Sequence, residues 1–174
     1  MEAQRAPGIG KIATKYGLIQ GAIAFALFVV VAMTGIKQNW ISSVVNIVVL
    51  IVLMVMAHRE FKKTHEGIMT YGQGVGSGTL LCVISSVLVA VLLYVYVGFI
   101  NTGYPAAALQ VQRSALEARG MTGPQLDQAL TMTSAMLTPT GIVITALISG
   151  VIVGFIVALI VSIFTRVSDP RAVI

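Results

Sequence analysis

Charge is scarce in this chain. Its 174 residues include only 11 Lys and Arg and 6 Asp and Glu, a charged share of 10 %, where a soluble domain carries roughly 25 %. Four stretches, 16–36, 38–57, 75–100 and 142–164, contain no Asp, Glu, Lys or Arg at all. Cysteine is nearly missing too. Cys82 stands alone, which excludes an intramolecular disulfide and any two-cysteine metal motif. No Ser/His/Asp set, paired carboxylates or activated cysteine can be assembled, so the sequence offers no catalytic residues and the expectation is a protein that is not an enzyme. The net charge of +5 does not point to nucleic acid, because the basic residues lie at the ends of apolar segments and not on a soluble face.

What remains is long apolar helix. Each uncharged stretch approaches the ~20 residues that a helix needs to cross ~30 Å of hydrocarbon. The expected fold is all-α: a polytopic membrane protein with four transmembrane helices, at about 16–36, 40–57, 75–100 and 142–164. A cytoplasmic tail (1–15), loosened by Pro7, Gly8 and Gly10, precedes this domain (16–165), and a second tail (166–174) follows it. Arg5, Lys11 and Lys15 before the first stretch have the order of a signal peptide. The apolar run exceeds an h-region of about 7–15 residues and no cleavage site follows, so the first helix is expected to be retained.

Orientation follows from the cations. Arg5, Lys11, Lys15, Arg59, Lys62, Lys63, Arg166 and Arg171 fall on one side, and Lys37, Arg113 and Arg119 on the other. The positive-inside bias predicts both termini in the cytoplasm. Trp40, Tyr94, Tyr96 and Tyr104 then belong to the outer aromatic belt, and Tyr16 and Tyr71 to the inner one. Lys37, Gln38 and Asn39 suffice for a tight turn between the first two spans, while the charged His58–Glu66 segment reads as a helical extension of span two. The external loop (101–139) reads as a short helical hairpin between helices three and four. Pro105 starts its first helix and Gly120 ends it, and Thr122-Gly123-Pro124-Gln125 has the form of a capping box for its second.

Small residues recur every fourth position in spans three (Gly74, Gly78, Cys82, Ser86, Ala90) and four (Ala146, Gly150, Gly154, Ala158, Ser162), with a shorter pair, Gly17 and Gly21, in span one. Such ridges let membrane helices approach closely, within one chain or between copies. The glycine run 71–78 follows no strand and lacks the Lys-Ser/Thr end of a phosphate loop, so no nucleotide cofactor is expected. His58 and His65 are expected to be solvated or lipid-facing at a charged interface, and with Glu60 and Glu66 form too thin a set for a metal. Inside the spans the polar residues are Gln20, Thr34, Asn46, Ser85, Ser86, Thr145 and Ser149. None is ionisable, which argues against a proton relay, and Gln20 and Asn46 are expected to bond between helices.

Four segments in order carry a resemblance: Lys15-Tyr16-Gly17-Leu18-Ile19-Gln20-Gly21, the basic stretch 59–63, Gly67-Ile68-Met69-Thr70-Tyr71-Gly72-Gln73, and Gly120-Met121-Thr122 in the outer loop. Over roughly residues 12–168 the chain resembles the bacterial membrane proteins grouped as domain-of-unknown-function family 4199. Where that family carries a basic residue after the third segment, this chain has Gly74-Val75-Gly76. The resemblance implies a four-helix protein of the bacterial inner membrane and no particular activity. The expected partners are membrane lipids, with either a larger membrane complex, to which the chain would be an accessory subunit, or further copies of itself as a small homo-oligomeric transporter or channel. A membrane enzyme ranks last.

Overall fold

A computed structural model describes residues 8–34 and 40–167. Six helices follow one another: α1 (Ile9–Thr34), α2 (Trp40–Thr64), α3 (Tyr71–Val95), α4 (Tyr104–Glu117), α5 (Pro124–Met136) and α6 (Pro139–Thr165), with a π turn at Tyr96–Ile100 extending α3. Among the described residues the one β-type pairing is an isolated antiparallel bridge, Met69 to Val167. α1, α2, α3 with its π turn, and α6 are each long and apolar enough to cross a membrane. The expected tight turn at 37–39 and the tail 168–174 lie outside the described residues.

The helices overrun the uncharged stretches. α1 begins at Ile9, so the second half of the supposed loose tail is helical. Gly10 does not break it, because Ile12 and Ala13 are buried in the same cluster as Tyr16, Phe61 and Met69, and tertiary packing outweighs the weak propensity penalty of one glycine. α2 runs through His58 and the basic residues to Thr64, where Glu66 (φ 52°) and Gly67 (φ 82°) turn the chain. A reciprocal cap then starts α3: the Thr70 hydroxyl accepts from the Gln73 N–H, and the Gln73 side chain accepts from the Thr70 N–H.

α3 lies between α1 and α6. Gly17 of α1 faces Leu81 and Ile84, and Gly21 faces Ser85 and Leu88, so α1 and α3 run parallel. Along α6 the order reverses: Gly74 faces Ser162, Gly78 faces Ala158, Gly154 faces Cys82 and Gly150 faces Ser86. A Cβ built on Gly78 would lie 2.9 Å from that of Ala158, and one built on Gly74 would lie 2.8 Å from the Ser162 hydroxyl. Side chains at Gly150 or Gly154 would overlap Ser86 or Cys82 outright.

Packing is uneven along the bundle. The core, including Leu50, Leu53, Met54, Ala57 and Phe61 of α2, gathers at the end where α1 begins and α2 finishes. Towards its other end α2 buries less, and Ile41, Val44, Val45, Ile47 and Val48 are exposed. That end is held by rings: Phe25 and Phe28 of α1 meet Tyr96 edge-on at 6.2 and 5.7 Å, and Phe28 meets Tyr104 at 5.3 Å. Tyr96 is therefore buried and not a free belt residue, and burial pushes the Tyr104 phenol up, with Tyr96 adding to the shift.

α4 and α5, which follow α3 and precede α6 in the chain, pack against each other, and each buries one leucine, Leu116 and Leu126. Gly120 takes φ 83° just past α4, where the Met121 N–H returns to the Leu116 carbonyl. The capping box expected at Thr122 is not formed. Gly123, with φ 60°, caps α5 without a side-chain bond, and Pro124 fills the first turn, where no N–H is required.

Candidate functional site

Three of the polar side chains that the bundle buries, His58, Ser77 and Ser162, meet around Gly74 at the basic end. α2 continues past its uncharged stretch, and a face that carries Leu50, Met54, Ala57 and Phe61 carries His58 as well, since residues three and four apart share a side of a helix. His58 is 0 % exposed. Its Nε2 lies 3.1 Å from the Gly74 carbonyl on α3 and its Nδ1 lies 2.8 Å from the Thr165 hydroxyl on α6. One imidazole thus joins three spans.

The partners fix its protons. A carbonyl only accepts, so Nε2 must carry a hydrogen and donate to Gly74. Nδ1 then has two options. The Thr165 Oγ1 also lies 3.0 Å from the Val161 carbonyl, and its single hydrogen can serve one acceptor at a time. If Thr165 donates to Val161, Nδ1 must be protonated to bond to Thr165. If Nδ1 is bare, Thr165 donates to it and releases Val161. The ring's protonation state and the direction of the Thr165 hydroxyl are therefore coupled.

Charged groups surround this knot. The Lys62 ammonium donates to the Thr165 carbonyl at 3.2 Å, which satisfies a carbonyl left over at the end of α6. On the α1 side, the Lys15 ammonium and the Tyr16 hydroxyl both donate to Glu60 Oε2 at 2.7 Å, and Lys15 sits 5.1 Å from the Tyr16 ring centroid. His65 stacks on Phe61 at 4.0 Å between ring centroids. The bridge closes the arrangement with two backbone bonds, Met69 N–H to Val167 carbonyl at 3.1 Å and the reverse at 2.9 Å.

Placing His58 in solvent or lipid is thus overturned. The helix carries His58 into the bundle although it stands beside a charged stretch. Nearer the middle, Gln20 Nε2 donates to Asn46 Oδ1 at 3.0 Å, the expected interhelical bond. Gln20 Oε1 is buried without a partner, as are the Thr79 and Ser162 hydroxyls. Ser86 lies against Gly150, while the Ser149 hydroxyl returns to its own helix at the Thr145 carbonyl, 2.6 Å away. Among the described residues, no three His, Cys, Asp or Glu side chains come together as metal ligands.

A family described as a protein of unknown function, DUF4199, matches the chain over residues 15–167. The chain belongs to that family. No curated protein and no solved structure matches it. In this DUF4199 member the matched range spans all four apolar helices and takes in Lys15, Glu60, His58 and Thr165, so the polar knot falls within the family's extent. The result is a membrane protein of unknown activity whose most organised chemistry is a buried, hydrogen-bonded imidazole.

Proposed function

We propose that this protein is an accessory or structural subunit of a larger complex in the bacterial inner membrane. Both termini lie in the cytoplasm and the α4–α5 hairpin lies outside. The supporting observation is the one-sided packing of α2. Its basic half is built into the core, whereas Ile41, Val44, Val45, Ile47 and Val48 face outward and leave a length of span for a neighbouring helix to cover. The seam of Gly74, Gly78, Gly150 and Gly154 serves on this reading to lock α3 to α6 and keep that scaffold rigid. No catalytic step is part of the proposal.

The test is native mass spectrometry of the gently extracted protein, with a photo-crosslinker at Val48. A foreign subunit in fixed stoichiometry, crosslinked through Val48, is the expected result. A defined homo-oligomer crosslinked at the same place would favour the second reading, a small transporter or channel. The unpartnered Gln20 carbonyl beside Asn46, a polar group held inside the bundle, speaks for that alternative. A chain that leaves the mildest extraction as a monomer, with no crosslink at Val48, would refute both.

A further inference from the structure

The glycines of α3 fall into two sets. Gly74 and Gly78 are packed against α6 and α2, where a Cβ would collide. Gly72 and Gly76, on another side of the same helix, have nothing within 4 Å of an added Cβ. They border a groove of about 560 Å³ between α3 and α6, shaped by Tyr71, Gly72, Gly76, Leu80, Phe155 and Leu159. Contacts within the chain do not account for the missing side chains there.

We propose that this groove holds one acyl chain of an anionic phospholipid, whose headgroup rests against Arg166 at the basic end of the bundle. Three observations carry this. First, the depth matches. The groove runs from Tyr71 to Val83, about 18 Å of helix axis at 1.5 Å per residue, close to the ~15 Å of hydrocarbon in one leaflet.

Second, the end of the groove at Tyr71, where that residue's hydroxyl reaches the Leu159 carbonyl at 3.4 Å, is cationic. Gly74 faces Ser162 and Met69 pairs with Val167, so Arg166 stands beside Thr70, next to the groove's first residue. Arg166 also follows Leu159 by seven residues and Phe155 by eleven, which keeps it on the side of α6 that lines the groove. It is exposed and makes no ion pair among the described residues. Basic sites between spans at this depth suit anionic headgroups.

Third, the small residues on this side end at Thr79, and Leu80 and Val83 follow. A helix from a second copy would need small residues over several turns to approach closely. A single flexible hydrocarbon chain needs only the groove.

The test uses the purified full-length chain, stripped of lipid and returned to nanodiscs of phosphatidylglycerol and phosphatidylcholine in equal amounts with identical acyl chains. Retained lipid is read by native mass spectrometry. The wild type is expected to keep one lipid and to prefer phosphatidylglycerol about fivefold, the effect of one arginine near an anionic surface. Gly76→Leu, whose Cβ meets no neighbour, should lose the lipid while melting no lower than the wild type. Should it melt lower, Gly72→Leu, one turn nearer Tyr71, repeats the measurement. Arg166→Gln should keep one lipid and lose the preference. Lipid retained by the groove-filling variants, or a preference that survives Arg166→Gln, would overturn the proposal. So would a wild-type dimer that Gly76→Leu dissociates, which would assign the groove to a second copy.

Discussion

Leucine at Gly78 and leucine at Gly76 are two residues apart on one helix, yet they should move stability in opposite directions. At Gly78 the first added carbon would already sit 2.9 Å from Ala158 Cβ and 3.0 Å from Met54 Sδ. Carbon contacts are most favourable at about 3.5–4.0 Å, so α3 and α6 would have to part by roughly 0.6–1.1 Å before the rest of the leucine is placed. Overpacking of this kind costs about 1–3 kcal/mol. At Gly76 no atom stands within 4 Å, and relief of glycine's backbone entropy in a helix is worth about 0.5–1 kcal/mol. For a chain of this size 1 kcal/mol shifts Tm by about 2–4 °C. Gly78→Leu should therefore melt lower by roughly 2–12 °C, and Gly76→Leu higher by roughly 1–4 °C. The assay is thermal unfolding of the purified variants in one detergent, followed by intrinsic fluorescence and by loss of the monodisperse peak. Equal melting of the two variants, or a Gly78→Leu protein as stable as the wild type, would refute the claim that the glycine seam sets the approach of α3 and α6.

His58→Ala removes the link between α2, α3 and α6 and should cost about 1–3 kcal/mol, the usual penalty for stranding buried polar partners; an effect below about 0.5 kcal/mol in the same melting assay would reduce the knot to ordinary surface chemistry. Lys15→Met should leave the melting temperature close to that of the wild type, because the Lys15–Glu60 pair is partly open to solvent, with side chains 55 % and 31 % exposed; a clear loss would mean that this pair is shielded, for example by a partner. For orientation, Arg113→Cys in a Cys82→Ser background should react with an impermeant thiol reagent in intact cells, and Lys63→Cys should not. The opposite pattern would invert the topology.

The four spans were legible because a single quantity, freedom from charge over some twenty residues, decides them. Their ends were legible only in part: the helical extension of α2 into His58–Glu66 was expected and runs to Thr64, whereas the start of α1 at Ile9, inside the expected loose tail, was not. The signal for His58 was present all the same. Carrying the stripe of Leu50, Met54, Ala57 and Phe61 across the charged boundary places position 58 on the buried side. The two Thr-x-x-Gln segments, at Thr70 and Thr122, have the same form, and only one became a reciprocal cap. At the other, Gly123 took a positive φ and Pro124 occupied the first turn, a competition that composition alone does not rank. Two open glycines on α3 could not be told from two packed ones, since the difference lies in what stands opposite them.

The short bridge between Met69 and Val167 bears on how the chain is made. Its two backbone bonds tie a segment that emerges before α3 to one that emerges only after α6, and Thr165 reaches His58 from the same later segment. α1 can settle against α3 through Gly17 and Gly21 as soon as those helices have entered the bilayer, in keeping with N-terminal parts folding first. Until α6 arrives, Gly74 and Gly78 lack the Ser162 and Ala158 that face them, and the His58 ring keeps its bond to Gly74 but lacks Thr165. A nascent chain stalled before Pro139 would thus leave one imidazole nitrogen and one side of the glycine track unmatched. Ribosome-bound intermediates arrested there should be degraded faster than the finished protein, and equal lifetimes would show that the last helix adds no closure.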